Sequence, residues 1–329
     1  MRVLFVIKSK STIPDISPFV LSQLNSLQKN GVEVGYFPVH GSGIFSYIKG
    51  IKQLRAFLKK NKFDLIHAHY SLCGWTAVLS RCKTPIVLSL MGSDAMGEYV
   101  SPNKIKFSSN FIILLTLLIQ PFVDAIISKA ENINKRVYRK KIAHIIPNGV
   151  DLDKVITIDK NKARSELGLT SEKKYILFLN NPNNKWKNIS LVKKALEILS
   201  DDNLELLTPY PVSAELVVKY LNASDVFITT SFMEGSPNVI KEAMACNCPI
   251  VSTNAGDTKW VVGKTKGCYI TSFDSADVKE NLKKALDFAK QTGKTQGRQR
   301  ILEIGLDSSS IAQRIIEVYK NVLPKPKVH

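Results

Sequence analysis

Short apolar runs alternate with amphipathic stretches along the whole chain, and this alternation restricts the possible folds more than any other feature. Val3–Ile7 is a continuous apolar run, which is typical of a parallel strand that is buried on both faces. Phe19–Lys29 then carries apolar residues at helical spacing and stops at Asn30-Gly31, a common helix end. Strands that alternate with helices in this way predict parallel sheets covered by helices on both faces.

The alternation restarts after a break near residue 150. The polar stretch Asp151–Thr170 has few strand formers and is predicted to be a linker with a short helix, and Tyr175–Leu179 begins a second series of strands. We therefore predict an α/β protein with two doubly wound, Rossmann-like parallel-sheet domains, of residues 1–152 and 153–308, facing a central cleft. Ligands of such sheets bind outside the carboxyl ends of the strands, so this cleft is the expected site.

The charge of the chain is strongly basic and unevenly distributed. The 329 residues have a formal net charge of +18, of which residues 1–150 contribute +13, from 20 basic and 7 acidic side chains. A basic half indicates an anionic partner, such as nucleic acid, anionic lipid or a phosphorylated substrate, with solubility alone as the alternative. The five cysteines form no CxxC pair, so neither a zinc site nor a redox dithiol is indicated, and a reducing cytoplasm is expected.

Phe111–Ile119 is the longest apolar run. Its nine residues are too few to span a bilayer, which takes about 20 apolar residues. We interpret it as a buried helix, with contact to a membrane surface as the alternative.

A loop-to-helix turn in the second half carries the most specific chemistry. Its residues Glu234-Gly235-Ser236-Pro237 follow the predicted strand Val226–Thr230. Gly235 allows a tight loop, Ser236 is suited to cap a helix, and Pro237 fits the first helical position. The turn therefore predicts a helix N-terminus at the carboxyl end of a strand.

Two glutamates flank this helix N-terminus. The N–H groups near Asn238 and Val239 form a site suited to a diphosphate. Glu234 lies on the loop before the helix and Glu242 about a turn into it, and carboxylates are good acceptors for the hydroxyls of a sugar. Taken alone, two glutamates at this spacing are more simply explained as a loop residue and a surface residue of a capped helix.

The full string resembles the Glu-x7-Glu motif of retaining glycosyltransferases with the GT-B fold, in particular glycosyltransferase family 4. The residues that match the family's run are Glu234, Gly235, Ser236, Pro237, Glu242, Ala243, Met244, Ala245, Cys246, Pro249, Ile250 and Val251. The Gly that is common before the following strand is replaced, since Asn247 and Cys248 stand there. The resemblance implies that Glu234 contacts the donor sugar and that Glu242 contacts the ribose.

Other segments are similar to the same family. Pro147–Asp151 resembles its interdomain turn, and Ala223–Phe227 resembles the strand that leads into the motif. Leu177–Leu179, followed by Lys185–Asn188, resembles the strand and basic loop that hold the diphosphate.

Lys187 aligns with a lysine of that basic loop, where the family often has an arginine as well. The arginine position carries Asn180 or Asn181, so one positive charge is missing or is replaced by Lys185. A fixed cation stabilises the charge that a leaving diphosphate gains in the transition state. We identify no Asp-x-Asp motif that would bind a metal, and we expect neither a metal nor a cofactor. A solvated loop lysine is the alternative for Lys187.

The first half supplies weaker candidates. Leu90–Asp94 resembles the family's His-Gly-x-Asp loop, with Met91 in place of the His. Because Met takes up no proton, Asp94 is the candidate base for the acceptor, and a helix-capping Asp is the alternative. His67 and His69 face the same way on a strand end, where a metal pair is less favoured than structural histidines.

We therefore predict a retaining GT-B glycosyltransferase that moves a sugar from a nucleotide sugar, by frequency in the family a UDP-sugar, to a glycan or lipid-linked acceptor. The resemblance places the donor on residues 153–308 and the acceptor on residues 1–152, together with a C-terminal helix of about residues 309–325. The predicted catalytic residues are Glu234, Lys187 and Asp94, and the predicted donor-binding residues are Gly235, Ser236, Asn238, Val239, Glu242, Asn181, Lys185 and Asn148.

The basic first half also indicates where such an enzyme would act. It fits bacterial cell-surface polysaccharide synthesis by a cytoplasmic protein that is peripheral on the inner face of the membrane, through Ile51–Lys62 and Lys135–Lys141. No aromatic RNA-binding motif is visible, so nucleic acid is not an expected partner. Two alternatives stay open, a GT-B-fold sugar-nucleotide epimerase and a non-catalytic protein that binds nucleotide sugars or other anionic ligands.

Overall fold

The computed structural model describes residues 1–9, 16–81, 83–101 and 104–324. The strands before residue 150 are β1 (Arg2–Ser9), β2 (Glu33–His40), β3 (Leu65–His69), β4 (Ile86–Leu90), β5 (Tyr99–Ser101), β6 (Lys104–Ile105), β7 (Ala125–Ser128) and β8 (Ala143–Ile145). The α-helices are α1 (Pro18–Lys29), α2 (Gly43–Lys60), α3 (Ser71–Leu79), α4 (Ser93–Met96), α5 (Ser109–Leu118) and α6 (Glu131–Asn134).

The alternation continues after residue 150. The strands are β9 (Lys174–Leu177), β10 (Leu204–Leu207), β11 (Val226–Thr229), β12 (Ile250–Thr253) and β13 (Cys268–Thr271). The α-helices are α7 (Lys160–Glu166), α8 (Ile189–Leu199), α9 (Ala214–Ala223), α10 (Asn238–Ala245), α11 (Thr258–Val262), α12 (Ser275–Gln291), α13 (Gly297–Glu303) and α14 (Ser308–Val322). Short 3-10 turns cover Gln120–Phe122, Lys140–Ile142 and Lys185–Lys187.

Two parallel sheets organise these elements. The first has the strand order β2-β1-β3-β4-β7-β8, and the second has the order β10-β9-β11-β12-β13. Neighbouring strands run parallel in both. The predicted α/β architecture with two parallel sheets is therefore confirmed.

The described chain divides into two compact units, one around each sheet. The first unit comprises Met1–Glu98, Ile105–Gly149 and the chain from Ser308 on. The second comprises Tyr99–Lys104 and Val150–Asp307. The short segment from Tyr99 thus groups with the second sheet, although it follows a strand of the first in the sequence.

The helix α5 differs from its prediction as a buried helix. Phe111, Leu114 and Leu118 are each about half exposed, whereas Thr116 on the opposite face is buried. Apolar length alone does not reveal which side of this helix is packed, and its main helical neighbours among the described residues are α3 and α4. Within the described part of the chain, no helix combines the length and the apolarity that crossing a bilayer requires.

The predicted linker Asp151–Thr170 is more tightly packed than expected. Its helix α7 buries Arg164, whose Nη2 lies 2.8 Å from Oδ2 of Asp225 and whose guanidinium stacks 5.0 Å from the ring centre of Tyr175. After residue 150, the edge strands β10 and β13 and the helices α9, α11 and α13 have no counterpart in the predicted pattern. The cap of α9, where Ser213 accepts from the N–H of Leu216 at 3.3 Å, is a local signal that could have revealed it.

The C-terminal helix α14 belongs to the first unit and is held there by buried polar contacts. Tyr319 is fully buried, and its Oη lies 2.6 Å from Nδ1 of His67. The other ring nitrogen of His67 lies 2.7 Å from Oγ of Ser89. Burial lowers the pKa of His67 well below its usual value, so the ring is neutral and its two nitrogens act as one donor and one acceptor. His67 is thus a structural histidine with both nitrogens paired.

We predict that Tyr319→Phe destabilises the first unit. The substitution leaves one buried nitrogen of His67 without a partner, which costs about 1–3 kcal/mol in the free energy of unfolding. Urea unfolding would measure the loss. Tyr36→Phe, at a tyrosine that is 42% exposed, is the matched control and should change the free energy of unfolding by less than about 0.5 kcal/mol. Equal stability of the two variants would contradict the structural role of His67.

Candidate active site

The helix α10 begins one residue later than its sequence predicts. Pro237 is the N-cap, no side chain of the described residues caps the helix, and its first residues are Asn238 and Val239. The predicted capping role of Ser236 is therefore wrong. Without a capping side chain, the first N–H groups of α10 are suited to an anion such as a phosphate.

Ser236 instead joins a partly buried polar network. Its Oγ donates to Oδ2 of Asp257 at 2.5 Å and accepts from Nζ of Lys241 at 2.9 Å. Lys241 is 1% exposed, and burial lowers its pKa to about 8, although Asp257 and Glu242 oppose the shift. Burial likewise raises the pKa of Asp257, and Lys241 opposes that shift. A buried cation thus lies close to the carboxylates of Asp257 and Glu242 and is hydrogen-bonded to the loop that carries Gly235 and Ser236.

Lys241 and Asp257 are functional candidates that the sequence motifs did not identify. Lys241 stands three and four residues before Met244 and Ala245, which are both buried, so it occupies the apolar face of α10. A lysine on such a face is the signal that could have identified it. The only sequence signal for Asp257 is its position after β12, and this position is far from the motif in sequence.

A close backbone approach fixes Gly235. The N–H of Asp257 donates to the carbonyl of Gly235 at 3.0 Å. A Cβ atom at Gly256 would lie 2.0 Å from that carbonyl oxygen, and Gly256 has a φ of +66°, so only glycine fits there. The loop after β12 therefore sets the position of the loop after β11.

Glu234 forms an ion pair with Lys187, through Oε1 and Nζ. Both side chains are partly exposed, at 16% and 19%, so the pair borders solvent. Two hydrogen bonds to backbone carbonyls hold the turn of Lys187 against the loop after β11. The N–H of Phe232 donates to the carbonyl of Trp186 at 2.9 Å, and Oγ1 of Thr230 donates to the carbonyl of Asn188 at 2.8 Å. The pair is thus held by two anchored loops.

The remaining residues of the basic loop have different surroundings. Lys185 is exposed. Asn181 forms a local turn, in which its Oδ1 accepts from the N–H of Asn183 at 2.9 Å. Asn180, the alternative arginine position, is buried and donates to Oγ1 of Thr229 at 3.2 Å. Lys185 is therefore the second cation of this loop that solvent and ligands can reach.

Glu242 lies on α10 next to Lys241 and is partly buried. Burial raises the pKa of its carboxyl group, and Lys241 opposes the shift. Glu242 is the fifth residue of α10, which agrees with its predicted place about one turn into the helix. The second unit thus brings together the predicted residues of the basic loop, the loop after β11 and α10.

Asp94 lies in the first unit and organises its own loop. It is fully buried, its Oδ1 accepts from the N–H groups of Met91 (2.9 Å) and Gly92 (3.0 Å), and its Oδ2 accepts from the N–H of Ser71 (3.0 Å). Burial raises the pKa of Asp94 to about 6, although these hydrogen bonds oppose the shift. This geometry favours the capping alternative over the predicted role as acceptor base, because both oxygens already hold backbone groups.

The other predicted polar residues of the first unit are also on its strand ends and turns. Asn148 lies in the turn after β8 and is partly buried. His69 is 4% exposed, its ring stacks on His67 at 4.3 Å, and both its nitrogens lack a hydrogen-bond partner among the described residues. Burial lowers the pKa of His69 well below its usual value, which makes the ring neutral.

The described residues contain no group of three or more His, Cys, Asp or Glu side chains that could hold a metal ion. Asp151 and Asp153 have Asp-x-Asp spacing in the sequence. In the structure, Oδ1 of Asp151 accepts from the N–H of Asp153 at 3.1 Å, an arrangement typical of a turn.

We predict that Lys241 makes stability depend on pH in the alkaline range. Its pKa falls from 10.5 in the unfolded chain to about 8 in the folded one, so the folded protein holds fewer protons between these values. The contribution of Lys241 to the free energy of unfolding therefore increases with pH there, by about 1 kcal/mol per pH unit. Relative to Lys241→Met, the wild type should gain stability in urea unfolding as the pH rises from about 8 to about 10. Lys193→Met, at an exposed lysine, should follow the wild type, and a constant difference for Lys241→Met would contradict the buried cation.

Two protein-family models match the chain. Glycosyltransferase Family 4 matches residues 17–154, and Glycosyl transferases group 1 matches residues 192–287, so together they cover most of both units. The second match contains β11, α10 and the motif from Glu234 to Glu242. Both models describe enzymes of one class.

Individual proteins agree with the two models. The chain is 26% identical over 223 residues to TuaC of Bacillus subtilis, which is named as a glycosyltransferase of teichuronic acid biosynthesis, and the match covers 61% of this chain and 56% of that protein. The chain thus spans little more than half the length of this relative. Among solved structures, sucrose-phosphate synthase of Thermosynechococcus elongatus superimposes with a TM-score of 0.80 at 15% identity, covering 97% of this chain and 98% of the other. HepE of Anabaena in complex with UDP superimposes with a TM-score of 0.73 at 16% identity, covering 98% of this chain and all of the other. These likenesses confirm the GT-B fold, and the two family models match residues 17–154 and 192–287 of the chain to glycosyltransferases of family 4 and of group 1.

Proposed function

We propose that this protein is a retaining glycosyltransferase that moves a sugar from a nucleotide-sugar donor to a glycan or lipid-linked acceptor. The observation that carries the proposal is the ion pair of Lys187 and Glu234 next to the N-terminus of α10. A cation, a helix N-terminus and a carboxylate that accepts from sugar hydroxyls are the groups that a sugar diphosphate requires.

In the proposed reaction, Lys187 stabilises the diphosphate as it leaves. Negative charge builds up on the leaving group in the transition state, and a fixed cation beside it lowers the barrier without the need to reorganise. The exposed Lys185 supplies further positive charge, and Glu242 on α10 is assigned to the ribose. Glu234 then serves two roles, because it holds Lys187 in place and accepts from the hydroxyls of the donor sugar.

Retention follows in this proposal without a covalent sugar–enzyme intermediate. Retaining glycosidases place a second carboxylate as nucleophile, about 5 Å from the acid. In the proposed assignment, the carboxylates of this site are committed to other tasks, Glu234 to Lys187 and Asp257 to Ser236. The leaving diphosphate itself would take the proton from the attacking hydroxyl, on the face that the sugar bond leaves.

The donor is proposed to be a UDP-sugar, and the process to be cell-surface polysaccharide synthesis in a bacterium. The support is the UDP complex of HepE and the naming of TuaC for teichuronic acid biosynthesis. The excess of cations in residues 1–150 supports an acceptor at an anionic membrane, which the protein would approach from the cytoplasm as a peripheral protein.

The proposal is tested in two steps. Thermal shift with UDP, GDP and ADP identifies the nucleotide, and UDP is expected to give the largest rise in melting temperature. Released nucleoside diphosphate is then measured over a panel of sugar nucleotides, with and without an acceptor extract. Release that needs the extract supports transfer, turnover of the donor without acceptor supports an epimerase, and binding without turnover supports a non-catalytic protein. An inverted anomer in the NMR spectrum of the product would refute retention.

We predict that Lys187→Met lowers kcat by about 100- to 1,000-fold, because the leaving diphosphate loses its fixed cation. Steady-state kinetics with the identified donor would measure this loss, and circular dichroism would show that the fold persists. Lys193→Met on the exposed face of α8 is the matched control and should leave kcat unchanged within about twofold. A loss confined to KM would contradict the proposed role, since it would mean that Lys187 binds the ground state and the transition state equally.

A further inference from the structure

One face of the first unit exposes an apolar stripe on an uncharged helix. Phe111, Leu114 and Leu118 of α5 are 54%, 50% and 51% exposed, and their spacing places them on one side of the helix. Phe107 before the helix is 88% exposed and Phe122 after it is 57% exposed. Helices on the surface of soluble proteins normally carry polar residues on the outer face, so a stripe of this size indicates a partner.

The stripe continues onto the neighbouring helix α3. Nε1 of Trp75 donates to the carbonyl of Leu115 in α5 at 3.0 Å, and its ring centre lies 5.8 Å from that of Phe122. Leu79, one turn further along α3, is 47% exposed. The exposed apolar surface thus runs from α5 across Phe122 toward the C-terminal end of α3.

A cationic cleft adjoins that end of α3. Its volume is about 520 Å³, and the charged residues among its described lining are all basic, namely Arg55, Lys59, Lys62, Arg81 and Lys83. Arg55 donates to the carbonyls of Leu79 and Ser80, both at 3.0 Å, so the cleft is fixed to the last turn of α3.

A second basic segment, Lys135–Lys141, is attached to the turn that carries Phe122. Nη1 of Arg139 donates to the carbonyls of Gln120 at 2.8 Å and Val123 at 3.2 Å, on either side of that turn. Lys135, Lys140 and Lys141 are exposed. Positive charge therefore adjoins the apolar stripe both at α3 and at the turn after α5.

We infer that this surface, the α5 stripe with the cationic cleft and the Lys135–Lys141 segment, docks onto a bilayer that contains anionic phospholipid. Apolar side chains enter the boundary between headgroups and acyl chains, while the adjoining cations attract the headgroup phosphates. The charge of the described cleft lining has a single sign, which favours an anionic membrane over a protein partner of mixed charge. The inference rests on the proposed function, because it identifies the surface through which a peripheral protein would contact the membrane. It combines two observations, the exposed apolar stripe and the positive charge beside it.

The inference is tested by vesicle sedimentation without donor or acceptor, so its outcome does not depend on turnover. The wild type is expected to bind vesicles of phosphatidylcholine with phosphatidylglycerol, and to bind pure phosphatidylcholine more weakly. The variant Phe111→Ser/Leu114→Ser/Leu118→Ser should reduce the partition coefficient at least about tenfold. The variant Lys59→Ala/Lys62→Ala/Lys83→Ala should also reduce it at least about tenfold, and the remaining binding should depend less on salt.

Matched controls carry the same changes on the second unit. Ile198→Ser/Leu216→Ser/Leu302→Ser removes three exposed apolar side chains, and Lys193→Ala/Lys284→Ala/Lys290→Ala removes three exposed lysines. Both should bind anionic vesicles like the wild type. Failure of the wild type to bind, or equal binding by the stripe variant, would overturn the inference. An intact nucleotide-induced thermal shift in the variants shows that they are folded, and it tests the donor site separately from membrane docking.

Discussion

All strands of the second sheet run in one direction, and the candidate site depends on this constraint. In a parallel sheet the carboxyl ends of neighbouring strands lie at one edge, so loops that are distant in sequence emerge side by side. Phe227 of β11 pairs with Leu177 of β9 and with Ile250 of β12, and this register brings the three following loops together. The first loop supplies Lys187, and the second supplies Glu234. The strand pairing therefore brings the loops that carry these opposite charges side by side, and the hydrogen bonds from Phe232 and Thr230 hold them together.

The third loop explains why the second has a fixed shape. Gly256 allows the chain to approach the carbonyl of Gly235, and the carboxylate of Asp257 accepts a hydrogen bond from Oγ of Ser236. The buried Lys241 then neutralises part of the charge that Asp257 brings into the interior. A buried cation is costly by itself, and it is tolerated where hydrogen bonds and opposite charge compensate for the lost water. The network thus holds the backbone of the loop that carries Gly235 and Ser236.

Features that depend on neighbouring residues in the chain are predicted correctly from the sequence. Predictions are wrong where a residue distant in sequence supplies or withholds the contact. The helix α10, Asn238–Ala245, begins within one residue of its predicted start because turn residues and helical period are local signals. The capping role of Ser236 is wrong because its Oγ accepts from Nζ of Lys241 and its hydroxyl donates to Asp257, which lies 21 residues away. The prediction that α5 is buried is wrong for a similar reason, since a run of apolar residues does not tell which side of the helix has a neighbour. Family resemblance singles out both Lys187 and Glu234, but their pairing depends on strand order, which spacing along the chain does not specify.

The excess of positive charge in the first unit has two possible explanations, binding of a phosphorylated acceptor and docking onto an anionic surface. The position of the charged residues distinguishes between them. Lys62 precedes β3 and Lys83 precedes β4, so the cationic cleft lies at the amino ends of these parallel strands. Ligands of such sheets bind at the opposite edge, where the carboxyl ends carry His69 and the loop of Asp94. There His69 is kept neutral by burial, and Asp94 is engaged with backbone N–H groups. The exposed cations of the cleft are therefore on the wrong edge to hold the phosphate of an acceptor. Their location beside the apolar stripe of α5 is the one expected if the basic charge serves to place the protein on an anionic surface.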